Sequence, residues 1–133
     1  MKKKTTKADF KAFKDECGYW QEYFGIKGYC YIYTWEPMEA TATCVADRES
    51  GSCVLSLTKI YEGEKITHEE ICAAAFHEML EALLFPIRDL MREYYSEKII
   101  SCEFHPIIEM LTNTVFSDSY GKRYNDNNQG DKS

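Results

Sequence analysis

The residues best suited to chemistry lie in an apolar segment, 73–85, with the sequence AAAFHEMLEALLF. The spacing of its apolar residues predicts a helix, and His77, Glu78 and Glu81 place an imidazole and two carboxylates on it. Burying such groups without partners costs several kcal/mol. Residues four apart share a helical face, so His77 and Glu81 project together, with Glu78 about 100° around the helix beside them. A divalent metal bound by His77 and Glu81, with Glu78 facing a metal-bound water, would account for all three.

The spacing matches the zinc motif H-E-x-x-H with glutamate at its last position, and carboxylate oxygen is an accepted zinc ligand. A near match, HEEIC, begins nine residues upstream at His68. There Thr67 and Glu70 have the spacing of a capping box, which predicts that a helix begins at this point. His68 then lies in a solvated first turn, and we interpret it as structural.

Composition limits the class of protein. With 133 residues, 44% of them hydrophobic, the chain is long enough for one domain with a real core. A net charge of −6 argues against a nucleic-acid partner, since such proteins use Lys and Arg to neutralise phosphates. No apolar stretch is long enough for a membrane span and no signal peptide is recognisable, so we expect a cytoplasmic protein whose six cysteines are reduced thiols.

Apolar periodicity predicts three helical regions and three strands. A helix is expected over residues 7–24, strands over 29–35, 40–46 and 53–60, a second helix from Thr67, and a last helix over 101–116. Proline should end or kink the second helix near Leu84 or Phe85, and a further helical piece is expected over residues 87–95. The last helix should begin between Cys102 and His105, because Pro106 is tolerated only in a first turn.

This element order predicts an α+β fold. We expect an N-terminal helix, a three-stranded antiparallel sheet, an active-site helix packed on it and a C-terminal helix that supplies a ligand. The domain should cover residues 1–118, and residues 119–133 should form a polar, disordered tail.

A catalytic zinc needs a third protein ligand and one open position for water. His105 lies 24 residues after Glu81 at the start of the next long helix, and neighbouring antiparallel helices can bring facing residues within reach of one metal. Glu103 and Glu109 are rivals, since both lie close to His105 in the chain. We favour His105, because imidazole is a common zinc ligand.

Two stretches of the chain resemble a known family. AFHEMLEALL (75–84) and EFHPIIEMLTN (103–113) are similar to segments of small phage and prophage zinc metallopeptidases of the minimal zincin (gluzincin-like) type. The resemblance covers roughly residues 10–116. It implies a zincin-like fold in the host cytoplasm, with His77, Glu81 and His105 as zinc ligands and Glu78 as the general base. The chain departs from the commoner pattern at Glu81, which replaces the second histidine, and at Pro106, which directly follows the third ligand.

The expected activity is zinc-dependent hydrolysis of peptide bonds. Zinc would polarise the scissile carbonyl and acidify its bound water, while Glu78 would take the water's proton and pass it to the leaving amine. A peptide or protein substrate would add as a strand to a sheet edge within residues 40–60. Two alternatives remain open: a non-catalytic, zinc-stapled module that binds a host or viral protein, and a metal-free domain in which His77 and Glu81 form an i,i+4 pair.

Overall fold

The computed structural model describes residues 2–125 and divides the chain into two compact units, Met1–Leu90 and Met91–Ser133. Both contain helices, and the strands belong to the first, so the predicted α+β class is confirmed. The first unit comprises β1 (Lys3–Lys4), α1 (Lys7–Phe24), β2 (Cys30–Glu36), β3 (Ala42–Asp47), β4 (Ser52–Thr58), β5 (Ile60–Tyr61) and α2 (His68–Met91, whose last residue opens the second unit). The second unit comprises α3 (Glu97–Leu111), a π-helical turn (Thr112–Phe116), α4 (Ser117–Tyr120) and a second π-helical turn (Gly121–Asn125).

Helix α1 has the predicted bounds because local signals fix both of its ends. The Thr6 hydroxyl accepts a hydrogen bond from the Asp9 backbone N–H at 3.1 Å, and the Asp9 carboxylate accepts one from the Thr6 N–H at 2.9 Å. Gly25 ends the helix in the left-handed conformation, at φ 65°. The predicted apolar seam is buried and contributes Phe13, Cys17 and Trp20 to the core.

The prediction of a purely antiparallel sheet is wrong. The strand order is β2-β4-β3, in which β3 pairs antiparallel with β4 but β2 pairs parallel with it. A separate two-stranded antiparallel sheet joins β1 to β5, so part of the N-terminal lysine run lies in a strand.

Burial on both faces explains why β4 is central. Cys53, Leu55 and Leu57 are fully buried on one face, and Ser56 and Thr58 are at least 95% buried on the other. A strand that is covered on both sides belongs inside a sheet, where each edge of its backbone finds a partner. The Ser56 hydroxyl also hydrogen-bonds the Thr34 hydroxyl of β2 at 2.5 Å, which ties the parallel pair together.

Helix α2 runs through Pro86 to Met91, so of the two expected effects of this proline, an end or a kink near residue 84 or 85, the end does not occur. Proline lacks an N–H and cannot donate to the carbonyl of Ala82, four residues earlier. The Tyr29 hydroxyl lies 3.5 Å from that oxygen and donates to it instead. A side chain from the start of β2 therefore partly replaces the missing hydrogen bond.

In the second unit, α3 begins at Glu97, where the Ser96 hydroxyl accepts from the Ile99 N–H. Pro106 therefore lies well inside the helix, and the predicted start between 102 and 105 is wrong. The carbonyl deprived of its usual donor belongs to Cys102, an exposed residue, so water can hydrate it. Residues 119–125 of the predicted tail are helical, and 126–133 lie outside the described residues. Among residues 2–125 no helix is long and apolar enough to cross a membrane.

Candidate metal centre

The predicted site residues His77 and Glu81 lie together on α2. His77 Nε2 and Glu81 Oε1 are 3.8 Å apart, as expected for side chains one helical turn from each other. The His77 side chain is 37% exposed and that of Glu81 is 21% exposed. The pair is therefore accessible to solvent from one side while it is fixed to a buried helix.

Arg88 is a third member of this group. Its Nη1 donates to Glu81 Oε2 at 2.8 Å, and the Arg88 side chain is only 12% exposed. The guanidinium binds one carboxylate oxygen of Glu81, and the other oxygen faces His77. Glu81 thus has a fixed orientation and a compensating positive charge.

Sequence analysis missed Arg88, although a signal for it existed. Residues seven apart lie two turns from each other on the same helical face, so Arg88 follows Glu81 along one stripe. The seven-residue spacing of Glu81 and Arg88 was not used, because Pro86 was expected to end or kink the helix before residue 88.

Glu78 occupies a different environment from Glu81. It is 8% exposed, and burial raises its pKa to about 8, with smaller contributions from the neighbouring Glu81 and Cys53. Desolvation disfavours the charged form of a carboxyl group, and a nearby negative charge does the same. Without a bound cation, Glu78 therefore holds a proton at neutral pH. A carboxyl group whose pKa is raised by burial is common at acid–base sites.

The donor pair on α2 fits a zinc ion. Two ligand atoms bonded at about 2.0–2.2 Å in a tetrahedral arrangement lie roughly 3.3 Å apart, close to the 3.8 Å between His77 Nε2 and Glu81 Oε1. Arg88 contacts the other oxygen of Glu81, which is how an outer partner commonly orients a carboxylate ligand.

The third ligand stays a prediction. His105 and its rivals Glu103 and Glu109 are all exposed residues of α3 in the second unit. Within residues 2–125 no group of three or more His, Cys, Asp or Glu side chains has the arrangement that a metal ion needs. The structure therefore places two of the predicted ligands, His77 and Glu81, and the predicted general base, Glu78, on one helix.

The edge strand β3 lies within the range of a long-range electrostatic effect of Glu78 and Glu81. The pKa of the Cys44 thiol on β3 is raised mainly because it hydrogen-bonds Cys53 and is partly buried, and the charges of Glu78 and Glu81 add to the effect. Within the three-stranded sheet, β3 pairs only with β4, so among residues 2–125 no strand pairs with its other edge.

The competing histidine, His68, has the structural setting that was predicted for it. The Thr67 hydroxyl accepts from the Glu70 N–H at 3.1 Å, and the Glu70 carboxylate accepts from the Thr67 N–H at 3.3 Å, completing the capping box. The His68 ring lies 3.7 Å from the Cys72 thiol, one turn along α2.

Comparison with known proteins adds no relative. No protein-family profile, no curated protein and no solved structure matches this chain.

Proposed function

We propose that this chain is a zinc-dependent metallopeptidase of the minimal zincin type that hydrolyses peptide bonds in the cytoplasm. The observation that carries the proposal is the arrangement on α2: His77 and Glu81 are 3.8 Å apart, and Glu78 lies between them in sequence with its pKa raised to about 8. Imidazole, carboxylate and a second carboxyl group held near neutral pKa are the parts that metal-assisted hydrolysis requires.

The proposed ligands are His77, Glu81 and His105. When bound, zinc would supply Lewis-acid polarisation of the scissile carbonyl and an acidified water. Arg88 keeps the Glu81 carboxylate turned towards His77, so that the two donor atoms need little reorganisation.

Glu78 is the proposed general base. The ionised form of Glu78 would be favoured by the positive charge of a zinc ion held by His77 and Glu81, and this carboxylate could then take a proton from water. The carboxyl group that results can pass this proton to the leaving amine. Burial raises the pKa of Glu78 to about 8, which suits this role. A group whose pKa lies near the working pH both accepts a proton and donates it readily.

The proposed substrate is an extended peptide that adds to the free edge of β3 (Ala42–Asp47). Cys44 of this strand lies close enough to Glu78 and Glu81 for their charges to affect its thiol. For cleavage, a peptide paired with β3 would have to reach the proposed general base, Glu78.

The test is cleavage of a broad peptide library by zinc-loaded wild-type protein and two variants. Glu78→Gln should keep zinc and lose cleavage by about 100-fold or more. Glu69→Gln changes an exposed glutamate in the first turn of the same helix and should cleave normally. Equal cleavage by Glu78→Gln and wild type would refute the role of Glu78.

The second candidate is a non-catalytic, zinc-stapled module that binds a host or viral protein. The ion pair between Arg88 and Glu81 instead favours the metal-free alternative, in which His77 and Glu81 form an i,i+4 pair, since a guanidinium at 2.8 Å already balances the carboxylate and weakens it as a metal donor. Zinc binding by wild-type protein with no cleavage of any library peptide would support the zinc-stapled module over the peptidase.

A further inference from the structure

Two cysteine thiols on neighbouring strands lie in contact. Cys44 Sγ and Cys53 Sγ are 3.5 Å apart and share a hydrogen bond. Cys44 lies opposite Leu55, and Cys53 lies opposite Ala46, so the two cysteines are diagonal neighbours on one face of the β3–β4 ladder.

The two thiols differ in accessibility. Cys53 is fully buried on the central strand, while Cys44 is partly exposed on the edge strand. Cys44 therefore lies on the side of the pair nearer the sheet edge, and movement of β3 would admit a small oxidant to the two sulfurs. Two thiols in contact, of which one can attack and the other resolve, are the usual arrangement of a redox-sensitive pair.

A covalent bond between them requires the strand backbones to shift, because the Cα atoms of diagonal neighbours lie about 7–8 Å apart, beyond the usual span of a disulfide. The S–S bond is about 2.05 Å long, so the sulfurs must approach by roughly 1.5 Å from their present separation. Strand β3 has one neighbour in its sheet, so it can move more easily than the central strand β4. Rotation of the Cys44 side chain together with a shift of β3 can supply the movement.

We propose that Cys44 and Cys53 are a modification site at which a hydroperoxide produces a reversible disulfide. Hydrogen bonding by Cys44 lowers the pKa of the Cys53 thiol, so the Cys53 sulfur attacks the peroxide, taking one oxygen as sulfenic acid and releasing water. The Cys44 sulfur then attacks the sulfenic sulfur, the S–S bond forms, and the hydroxyl leaves as a second water with the Cys44 proton. Two thiols and one hydrogen peroxide thus become one disulfide and two waters.

This inference is independent of zinc and of peptide hydrolysis, because it concerns only the sulfurs and the strands that carry them. It agrees with a cytoplasmic setting, where disulfides are usually transient and redox-sensing. In that setting a thiol reductant would return the pair to its free form.

The test is hydrogen peroxide treatment of the full chain, followed by alkylation of the remaining thiols, trypsin digestion and mass spectrometry. Arg48 separates the two cysteines, so the disulfide should link peptides 28–48 and 49–59. Cys30 shares the first of these peptides, and a Cys30→Ser background therefore removes ambiguity. The alkylatable thiols should fall by two and recover fully with dithiothreitol.

Cys44→Ser should abolish the linked peptides, and because this residue is partly exposed the variant should fold normally by circular dichroism. Cys102→Ser is the matched control, an exposed cysteine in the second unit, and it should leave the link unchanged. The proposal is overturned if wild-type protein loses thiols without linking these peptides, or if Cys44→Ser forms the same link.

Discussion

The guanidinium of Arg88 donates to the carboxylate of Glu81 at 2.8 Å, two helical turns away and on the far side of a proline. This ion pair orients the proposed zinc ligand Glu81 and exists only because α2 continues past Pro86. Both side chains are largely buried, at 12% and 21% exposed, so the pair differs from a surface salt bridge.

Arg88→Met should destabilise the metal-free protein by about 1–3 kcal/mol, between the values for exposed and buried ion pairs. The cost arises because Glu81 is left with an uncompensated, partly desolvated charge. Chemical denaturation in the presence of a chelator measures it. Glu81→Gln in the Arg88→Met background should recover much of the loss, since the leftover charge is removed.

The matched control is Lys11→Met, which breaks an i,i+4 pair with Asp15 whose side chains are 74% and 65% exposed. Lys11→Met should lower the free energy of unfolding by less than about 1 kcal/mol. Equal losses for Arg88→Met and Lys11→Met would show that Arg88 contributes nothing beyond surface charge.

The stability of the metal-free protein should depend on pH through Glu78. Its pKa is about 8 in the folded chain, against an ordinary value of 4.5, so the folded state binds the proton more tightly. The contribution of this proton to the free energy of unfolding is complete below pH 4.5. It is lost as the pH rises towards 8, at up to about 1.4 kcal/mol per pH unit.

Urea denaturation across that pH range, with a chelator present, measures the effect. Glu78→Gln should flatten the profile, because glutamine has a similar shape and no titration. If the slope of the Glu78→Gln profile matched that of wild type, another group would be responsible.

Tyr29→Phe should lower the free energy of unfolding by about 0.5–1 kcal/mol, because the Ala82 carbonyl would lose its side-chain donor. In a Pro86→Ala background the same change should cost less, since the new N–H at residue 86 can donate to that carbonyl. A double-mutant cycle measures the difference. No coupling between the two positions would mean that the 3.5 Å contact contributes nothing to stability.

How far the fold could be read from sequence depended on whether the deciding contacts were local. The bounds of α1 were predicted correctly because Thr6, Asp9 and Gly25 fix them within a few residues. The strand order of the sheet was not predicted correctly, because it depends on the burial of Ser56 and Thr58. Both look like exposed polar positions in the sequence. Their partners Thr34 and Met38 lie about twenty residues away.

The same distinction applies to the site. The proximity of His77 and Glu81 follows from helical spacing alone, and the structure places them together. The role of Arg88 could not be predicted, because it requires α2 to continue past Pro86, where the Tyr29 hydroxyl that donates to the Ala82 carbonyl comes from 53 residues away in the chain. The contact between Cys44 and Cys53 was equally hidden, since it requires the register of β3 on β4.

Ala46→Pro should weaken peptide cleavage by raising KM while the zinc content stays unchanged. The Thr58 N–H donates to the Thr41 carbonyl, and alternation along an antiparallel pair then directs the N–H groups of residues 42, 44 and 46 away from β4. Proline at 46 removes one donor from the free edge, where it is tolerated.

Steady-state kinetics on a library-selected peptide measures the effect. Val45→Thr, at an exposed position of the same strand, is the control and should leave KM unchanged. Unaltered KM in Ala46→Pro would indicate that substrate does not pair with β3.

The most direct test of the central claim, that His77 and Glu81 form a zinc site, is calorimetric titration of zinc into metal-free protein. Wild type and Glu78→Gln should each bind one zinc per chain with similar affinity. His77→Ala, Glu81→Ala and His105→Ala should each bind at least about 100-fold more weakly. Zinc binding by His77→Ala as tight as that by wild type would contradict the proposed metal centre.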